Sequence, residues 1–274
     1  MEGTKQLSNP SPLRILLVGA SGHMGQIVTE QIRQQSEQYR LAAILNGHQH
    51  QMEGVVQGWP GNLQTLADCE WDVLIDFSSP ALLPAICELL TRHPAPAVLA
   101  TTGYSQDELA SLKQLARTLP LFMSANMSLG IHVMQRLITQ AARYLYPAYD
   151  IEIVEAHHRR KVDAPSGTAL LLARALQDEI CQTQGTDLTL TFDRSLVRQA
   201  RPAAEIGISS IRGGNIVGEH AVIFAGQADI LTIKHSALSR SVFAQGALNA
   251  AAFIINREAG LYSMEDLLDQ LAKA

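Results

Sequence analysis

The sequence predicts an α/β protein in two parts, a doubly wound parallel sheet and a second, open sheet of mixed or antiparallel strands. Three observations carry this expectation. Short apolar runs alternate with helical stretches as far as about Asn126, and each such crossover returns the chain to the same end of a parallel sheet. Beyond that point the strand-like runs lengthen and follow one another without helices between them. A glycine-rich turn, GASGHMG at 19–25, joins the first apolar run to the first helical stretch.

In chain order, RILLVG at 14–19 reads as a strand, 26–35 as a helix and 41–45 as a second strand. DVLIDF at 72–77 is a strand, 81–91 a helix, 97–101 a strand, 106–118 a helix and 121–124 a strand. A helix over 128–145 opens the second part. Its strands are expected at 150–156, 188–193, 205–212, 216–224 and 229–235, with one helix at 168–182. Arg212-Gly213-Gly214-Asn215 reads as a hairpin turn between two of them. Helical patterns return at 242–256 and 264–271.

With 274 residues, of which 47% are hydrophobic and 17% charged, the chain can bury one large core or two ordinary ones, which excludes disorder as its main state. A net charge of −5 leaves no basic surplus for a nucleic-acid partner. Cys69, Cys87 and Cys181 are odd in number and far apart, a pattern of neither a disulfide framework nor a zinc site. Met1–Pro12 is polar, and no apolar run approaches the ~18 residues of a membrane span. The expectation is a soluble cytoplasmic protein with no membrane partner.

Gly19, Gly22 and Gly25 stand where backbone amides at a helix start can approach a pyrophosphate, because glycine has no Cβ and the helix dipole favours negative charge there. A plain packing turn would use glycine too, but the position after the first strand of a βαβ unit favours a dinucleotide. The spacing is G-x-x-G-x-x-G, with Ser21 where a tighter fingerprint has its second glycine. Asn46 stands at the end of the second strand, where an NAD enzyme carries an acidic residue for the ribose hydroxyls.

The densest chemistry is EAHHRRKVDAPSGT at 155–168, between a strand and a helix. Its cations and the free amides of a helix start suit a small dicarboxylate. Ser166 or Thr168 alone would be read as a helix cap. Adjacent histidines on an extended segment point to opposite sides, so a metal site is not expected. His157, His158 and Lys161 are acid–base candidates, because histidine titrates near neutrality and a lysine set among cations can exchange protons. Arg159 and Arg160 read as loop surface. The lone histidines at 23, 48, 50, 93, 132 and 220 read as surface or packing residues.

The 155–169 stretch resembles the signature of the dihydrodipicolinate reductases, also called 4-hydroxy-tetrahydrodipicolinate reductases, of the diaminopimelate route to lysine. Similar stretches are GASGHMG, DFSSP at 76–80, ATTG at 100–103, SANMSLG at 124–130, IRGGNIVGEH at 211–220 and the 235–240 segment. The resemblance implies a Rossmann-like nucleotide domain of 1–127 with 240–274 and an inserted α+β substrate and tetramerisation domain of 128–239. It implies hydride transfer from NADPH or NADH to an unsaturated ring, followed by protonation of the neighbouring carbon. His157 matches the family's acid–base histidine, and Lys161 its proton-donating lysine. His158, Ser166, Gly167 and Thr168 match substrate contacts. Cofactor contacts fall on Gly19, Ala20, Ser21, Gly22, His23, Met24 and Gly25, on Asn46 and Phe77, on Ala100, Thr101 and Thr102, and on Ser124, Ala125, Asn126 and Met127. Two departures are Ala100 where glycine is frequent and Asn46 where an acid is frequent; the second leaves the choice of nicotinamide open. Alternatives are another two-domain NAD(P)-dependent reductase of a small carboxylate and a non-catalytic dinucleotide-binding module, which would need the glycine turn but not the histidine–lysine cluster. A homotetramer is expected.

Overall fold

A computed structural model describes residues 11–49, 52–195 and 197–273. These form two compact units, one within Met1–Met127 and Ser241–Ala274, the other Ser128–Arg240. The first opens with β1 (Leu13–Val18), whose Ile15–Val18 are fully buried, as suits a parallel strand covered on both faces. α1 (His23–Gln34) buries Gly25, Val28, Thr29 and Ile32, the i, i+3, i+4, i+7 stripe of a helix lying on a sheet. Then come β2 (Tyr39–Leu45), β3 (Val56–Gly58), α2 (Gln64–Ala67) and β4 (Val73–Asp76). A 3-10 turn at Pro80–Leu82 leads into α3 (Leu83–Arg92). β5 (Ala97–Leu99), α4 (Gln106–Leu115) with a Ser105–Glu108 capping box, and β6 (Pro120–Met123) follow.

The second unit contains α5 (Leu129–Leu145), β7 (Asp150–His157), α6 (Gly167–Gln184), β8 (Thr189–Thr191), β9 (Glu205–Arg212), β10 (Gly218–Ala225) and β11 (Ile230–Ala237). The chain then returns to the first unit with α7 (Ser241–Ile254), β12 (Gly260–Tyr262) and α8 (Met264–Leu271).

The first sheet is parallel throughout, in the order β12-β6-β5-β4-β1-β2-β3. Its short β3 and β12 and the one-turn α2 were not expected, since three or four residues are too few to display a period. The second sheet runs β11-β10-β7-β9-β8 and is mixed: β7, β9 and β8 are parallel, and β10 is antiparallel to β7 and β11. Met134 and Ile138 of α5 and Leu172 and Leu176 of α6 share one core with Ile151, Ile153, Ile206, Ile208, Val222 and Phe224. Alternation along β7 therefore puts Glu155 and His157 on the helix-covered face.

The hairpin expected at 212–215 is corrected. β9 and β10 do not pair with each other, because β7 lies between them. The connection runs across the end of β7, where the Gly213 amide donates to the His157 carbonyl at 2.9 Å and the Arg159 amide to the Gly214 carbonyl at 3.2 Å. The glycines serve that crossing, with Gly214 at φ +47°.

Candidate active site

In the first unit strand order reverses about β1 and β4, and an open α/β sheet places its ligand crevice at such a reversal, beyond the carboxyl ends of the strands. Gly19 follows β1 at φ +82°, and a Cβ there would lie 2.6 Å from the Phe77 carbonyl oxygen. A Cβ at Gly25 would lie 2.1 Å from the Gly19 carbonyl oxygen. Both glycines are thus demanded by the turn's own packing.

Gly22 differs. It is exposed and precedes α1 with no side-chain cap, whereas α4, α5 and α6 are capped by Ser105, Ser128 and Ser166. With no side chain capping its start, α1 presents its positive dipole end at the glycine turn, and the turn fits a dinucleotide pyrophosphate. Within it Ala20 is buried, Ser21 and Met24 are half-buried, and His23 is exposed. Asn46, 1% exposed, accepts hydrogen bonds at 3.2 Å from both the amide and the hydroxyl of Ser21 through Oδ1. Its Nδ2 has no partner among the described residues.

Phe77 follows β4, Ala100–Thr102 follow β5 and Ser124–Met127 follow β6, so the expected cofactor residues line one edge of the sheet. A buried carboxylate organises two of these loops. Asp76 accepts from the Ser78 amide at 3.0 Å, the Ser78 hydroxyl at 2.5 Å and the Tyr104 hydroxyl at 3.1 Å. Burial pushes the Asp76 carboxyl above its ordinary range despite these bonds, and burial beside Asp76 pushes the Tyr104 phenol up.

In the second unit His157 ends β7, and its Nδ1 lies 2.6 Å from Glu155 Oε2. Cross-strand register supplies the neighbours: Ser210 and His220 flank Glu155, and Arg212 flanks His157. Arg212 grips Glu155 with Nη1 donating to Oε2 at 2.8 Å and Nη2 to Oε1 at 2.7 Å. The Ser166 amide donates to Oε1 at 3.1 Å. Burial alone would raise the Glu155 carboxyl, but the bonds from Arg212, Ser210 and His157 overcome it and bring it to about 2. Burial lowers the His157 imidazole, with Glu155 pulling the other way. The His220 ring meets His157 edge-on at 5.2 Å, and burial takes it down to about 3.

His158 lies on the other side of the chain, its Nε2 3.3 Å from an Arg240 nitrogen. Partial burial and the cations Arg240 and Arg160 push its pKa down. Lys161 Nζ is 2.8 Å from Asp163 Oδ2. Ser166 is the α6 cap, with its hydroxyl accepting from the Ala169 amide at 3.1 Å and lying 3.0 Å from His220 Nε2; it is 2% exposed. Gly167, exposed, and Thr168, half-buried, open α6. The structure thus brings His157, Lys161 and the start of α6 together around one strand end.

Sequence reasoning missed Glu155 as a partner, Arg212 and His220. Arg212 was absorbed into a turn. His220, expected among isolated surface or packing residues, is buried inside the site, whereas His93 does pack, stacked on Trp71 at 4.2 Å. His50 lies outside the described residues. The available signal for Glu155 was its phase: an acid on the apolar side of a strand requires a cation.

No helix among the described residues is long and apolar enough to cross a membrane. Residues 13–127 match the family described as Dihydrodipicolinate reductase, N-terminus, and residues 130–268 match Dihydrodipicolinate reductase, C-terminus. A protein of Exiguobacterium sp. (strain AT1b) named 4-hydroxy-tetrahydrodipicolinate reductase is 43% identical over 260 residues, covering 93% of this chain and 96% of that relative. One of the same name from Clostridium tetani is 41% identical over 257 residues, covering 94% and 97%. A solved structure described as dipicolinate-bound dihydrodipicolinate reductase from Paenisporosarcina sp. TG-14 has a TM-score of 0.74 at 23% identity, covering 92% of this chain and 97% of that one. An amine dehydrogenase of Mycobacterium smegmatis has a TM-score of 0.60 at 11% identity, covering 93% and 96%. The structural likenesses establish a shared fold, which hosts more than one chemistry. Sequence matches across both units decide between them: the chain belongs to the dihydrodipicolinate reductase family and is an NAD(P)H-dependent oxidoreductase of the 4-hydroxy-tetrahydrodipicolinate reduction step in diaminopimelate and lysine biosynthesis.

Proposed function

We propose that the reduction runs with NADPH at least as well as with NADH, and that His157 and Lys161 supply its acid–base chemistry. The observation that carries the second part is the convergence of His157, Lys161 and the α6 start at one end of β7. The amides of Gly167 and Thr168, with the Thr168 hydroxyl, hold a substrate carboxylate at the helix start, and the Ser166 cap fixes where those amides point. His158 contacts the second carboxylate or supports the loop. The bound nicotinamide supplies the hydride. Lys161, as ammonium, faces the charge that develops on the ring, an interaction stronger in the transition state than in the ground state. Lys161 delivers a proton to the neighbouring carbon directly or through water, and His157 exchanges protons with it.

The cofactor preference rests on Asn46. A carboxylate there would repel a 2′-phosphate, and Asn46 instead offers Nδ2 as a donor while Ser21 occupies its oxygen. Neither Gly47 nor His48 adds a lysine or arginine, so the preference is modest. The remaining turn residues, Phe77, Ala100–Thr102 and Ser124–Met127 complete the cofactor contacts. The second unit assembles the chain into a cytoplasmic homotetramer, a proposal supported by Ile211 and Ile230, 51% and 68% exposed on the face away from α5 and α6, and by the edge strand β11.

Steady-state kinetics with cofactor titration on folded variants tests the assignment. Lys161→Ala and His157→Ala should each lower kcat by roughly 10²-fold or more with nicotinamide affinity nearly unchanged, and Thr168→Ala should act mainly on KM. Near-wild-type kcat in both variants would remove the assignment, and sedimentation of the wild type as a stable monomer at micromolar concentration would remove the tetramer.

A further inference from the structure

We infer that Glu155, clamped by Arg212, is the positioning residue of this site: it holds the His157 proton on Nδ1 and makes Nε2 the atom that exchanges protons. The inference rests on the acid–base reading of His157 and names the atom and the partner through which that role is exercised.

Glu155 is fully buried and carries a bidentate guanidinium at 2.7 and 2.8 Å, so it is an ionised carboxylate, a group that can only accept hydrogen bonds. His157 Nδ1, 2.6 Å from Oε2, must therefore be the donor. A neutral imidazole has one N–H, so Nε2 is bare. The space beside Nε2 is kept by glycine: a Cβ at Gly218, the first residue of β10, would lie 3.2 Å from that nitrogen. The charged and titratable groups around His157 are Glu155 and His158 from its own segment, Lys161 from the following loop, Arg212 from β9 and His220 from β10. Glu155 is the anion bonded to the ring, and it stabilises the imidazolium against Arg212 and Lys161, the second of which Asp163 also pairs at 2.8 Å.

The same carboxylate also ties the site together. Its Oε1 takes the Ser166 amide at the start of α6, and Arg212 Nη2 reaches on to the Asp163 carbonyl at 2.7 Å in the loop that carries Lys161. One buried ion pair thus sets the acid–base ring, the lysine loop and the carboxylate-binding helix start. Glu155 itself stays a carboxylate while His157 gains or loses its proton at Nε2.

Two measurements test this on the full chain. In NMR of imidazole-¹⁵N-labelled protein, with the His157 signals identified by their loss in His157→Gln, the neutral ring should show hydrogen on Nδ1 and a bare Nε2. Hydrogen on Nε2 would overturn the inference. In kinetics, Glu155→Gln should lower kcat by about tenfold or more and move the pH-profile limb assigned to His157 to lower pH by about one unit, because the ring then loses the anion bonded to Nδ1. Nicotinamide affinity should stay unchanged. Since Glu155→Gln leaves Arg212 unpaired, Glu155→Gln/Arg212→Gln serves as the second variant: it should fold and remain slow. Wild-type kcat and pH profile in either variant would overturn the inference. If instead His157→Ala were fully active, the acid–base reading would fall while the tautomer measurement stood.

Discussion

Each unit buries a carboxylate near the carboxyl end of a strand, Asp76 on β4 and Glu155 on β7, and both are fully screened from solvent. Their partners differ. Asp76 is met by hydroxyls and an amide, so burial raises its pKa; Glu155 is met by a guanidinium, and its pKa falls to about 2. Neutral dipoles suffice to pin the two loops Asp76 joins, Ser78 and Tyr104, where a fixed backbone is the requirement. Glu155 stands beside His157, the ring for which we propose a change of charge, and a persistent anion there steadies the imidazolium.

The sharpest way to break the comparison is to remove the charge logic from each side. Arg212→Met leaves Glu155 buried and uncompensated, and should cost about 3 kcal/mol or more of stability in urea unfolding. Asp76→Asn keeps an acceptor for Ser78, and the Tyr104 hydroxyl can turn to accept, so it should stay within about 1 kcal/mol of wild type. An equal loss in both would mean that the two carboxylates do the same work.

Acid titration separates them by sign. Glu155, depressed in the fold, contributes stability above its unfolded pKa of about 4.5 and loses it as pH falls toward 2. Asp76, raised in the fold, contributes below its unfolded value and loses that as pH rises through its folded pKa. His220 resists protonation from its ordinary 6.5 down to about 3, so it weakens the fold over that span. Stability should therefore fall between pH 6.5 and 4.5, by up to about 1.4 kcal/mol per pH unit per group, before Glu155 titrates. His157 and His235, also lowered by burial, act in the same sense. His220→Gln should make this slope shallower; an unaltered slope would show that its imidazole is not held neutral.

At the cofactor edge the expected effect is on selectivity rather than on stability. Asn46→Asp should weaken NADPH use selectively, by about tenfold in kcat/KM, or ~1.4 kcal/mol, while NADH use changes little. A wild-type enzyme preferring NADH by the same margin would contradict the reading of Asn46.

Much of the candidate site is legible because it is contiguous. His157, Lys161, Gly167 and Thr168 lie within one strand–loop–helix segment, and Ser166 has the position of a cap. Arg212 is 57 residues from Glu155, and nothing local links them. The mistaken hairpin has the same origin: two strands joined by a glycine pair look adjacent until a third strand inserts between them.

From the sequence alone come the alternation that makes the first sheet parallel, the change of pattern that opens a second sheet, the glycine turn and the cation-rich strand end. These follow from local periods, because side-chain direction repeats every two residues in a strand and every 3.6 in a helix. Only the tertiary structure decided that β7 lies between β9 and β10, and hence that Arg212, Ser210 and His220 surround Glu155. Strand order is a property of the whole chain, and burial makes that order matter: an ionised acid with no access to water must be paired, and the pairing with Arg212 keeps Glu155 an acceptor 2.6 Å from His157 Nδ1.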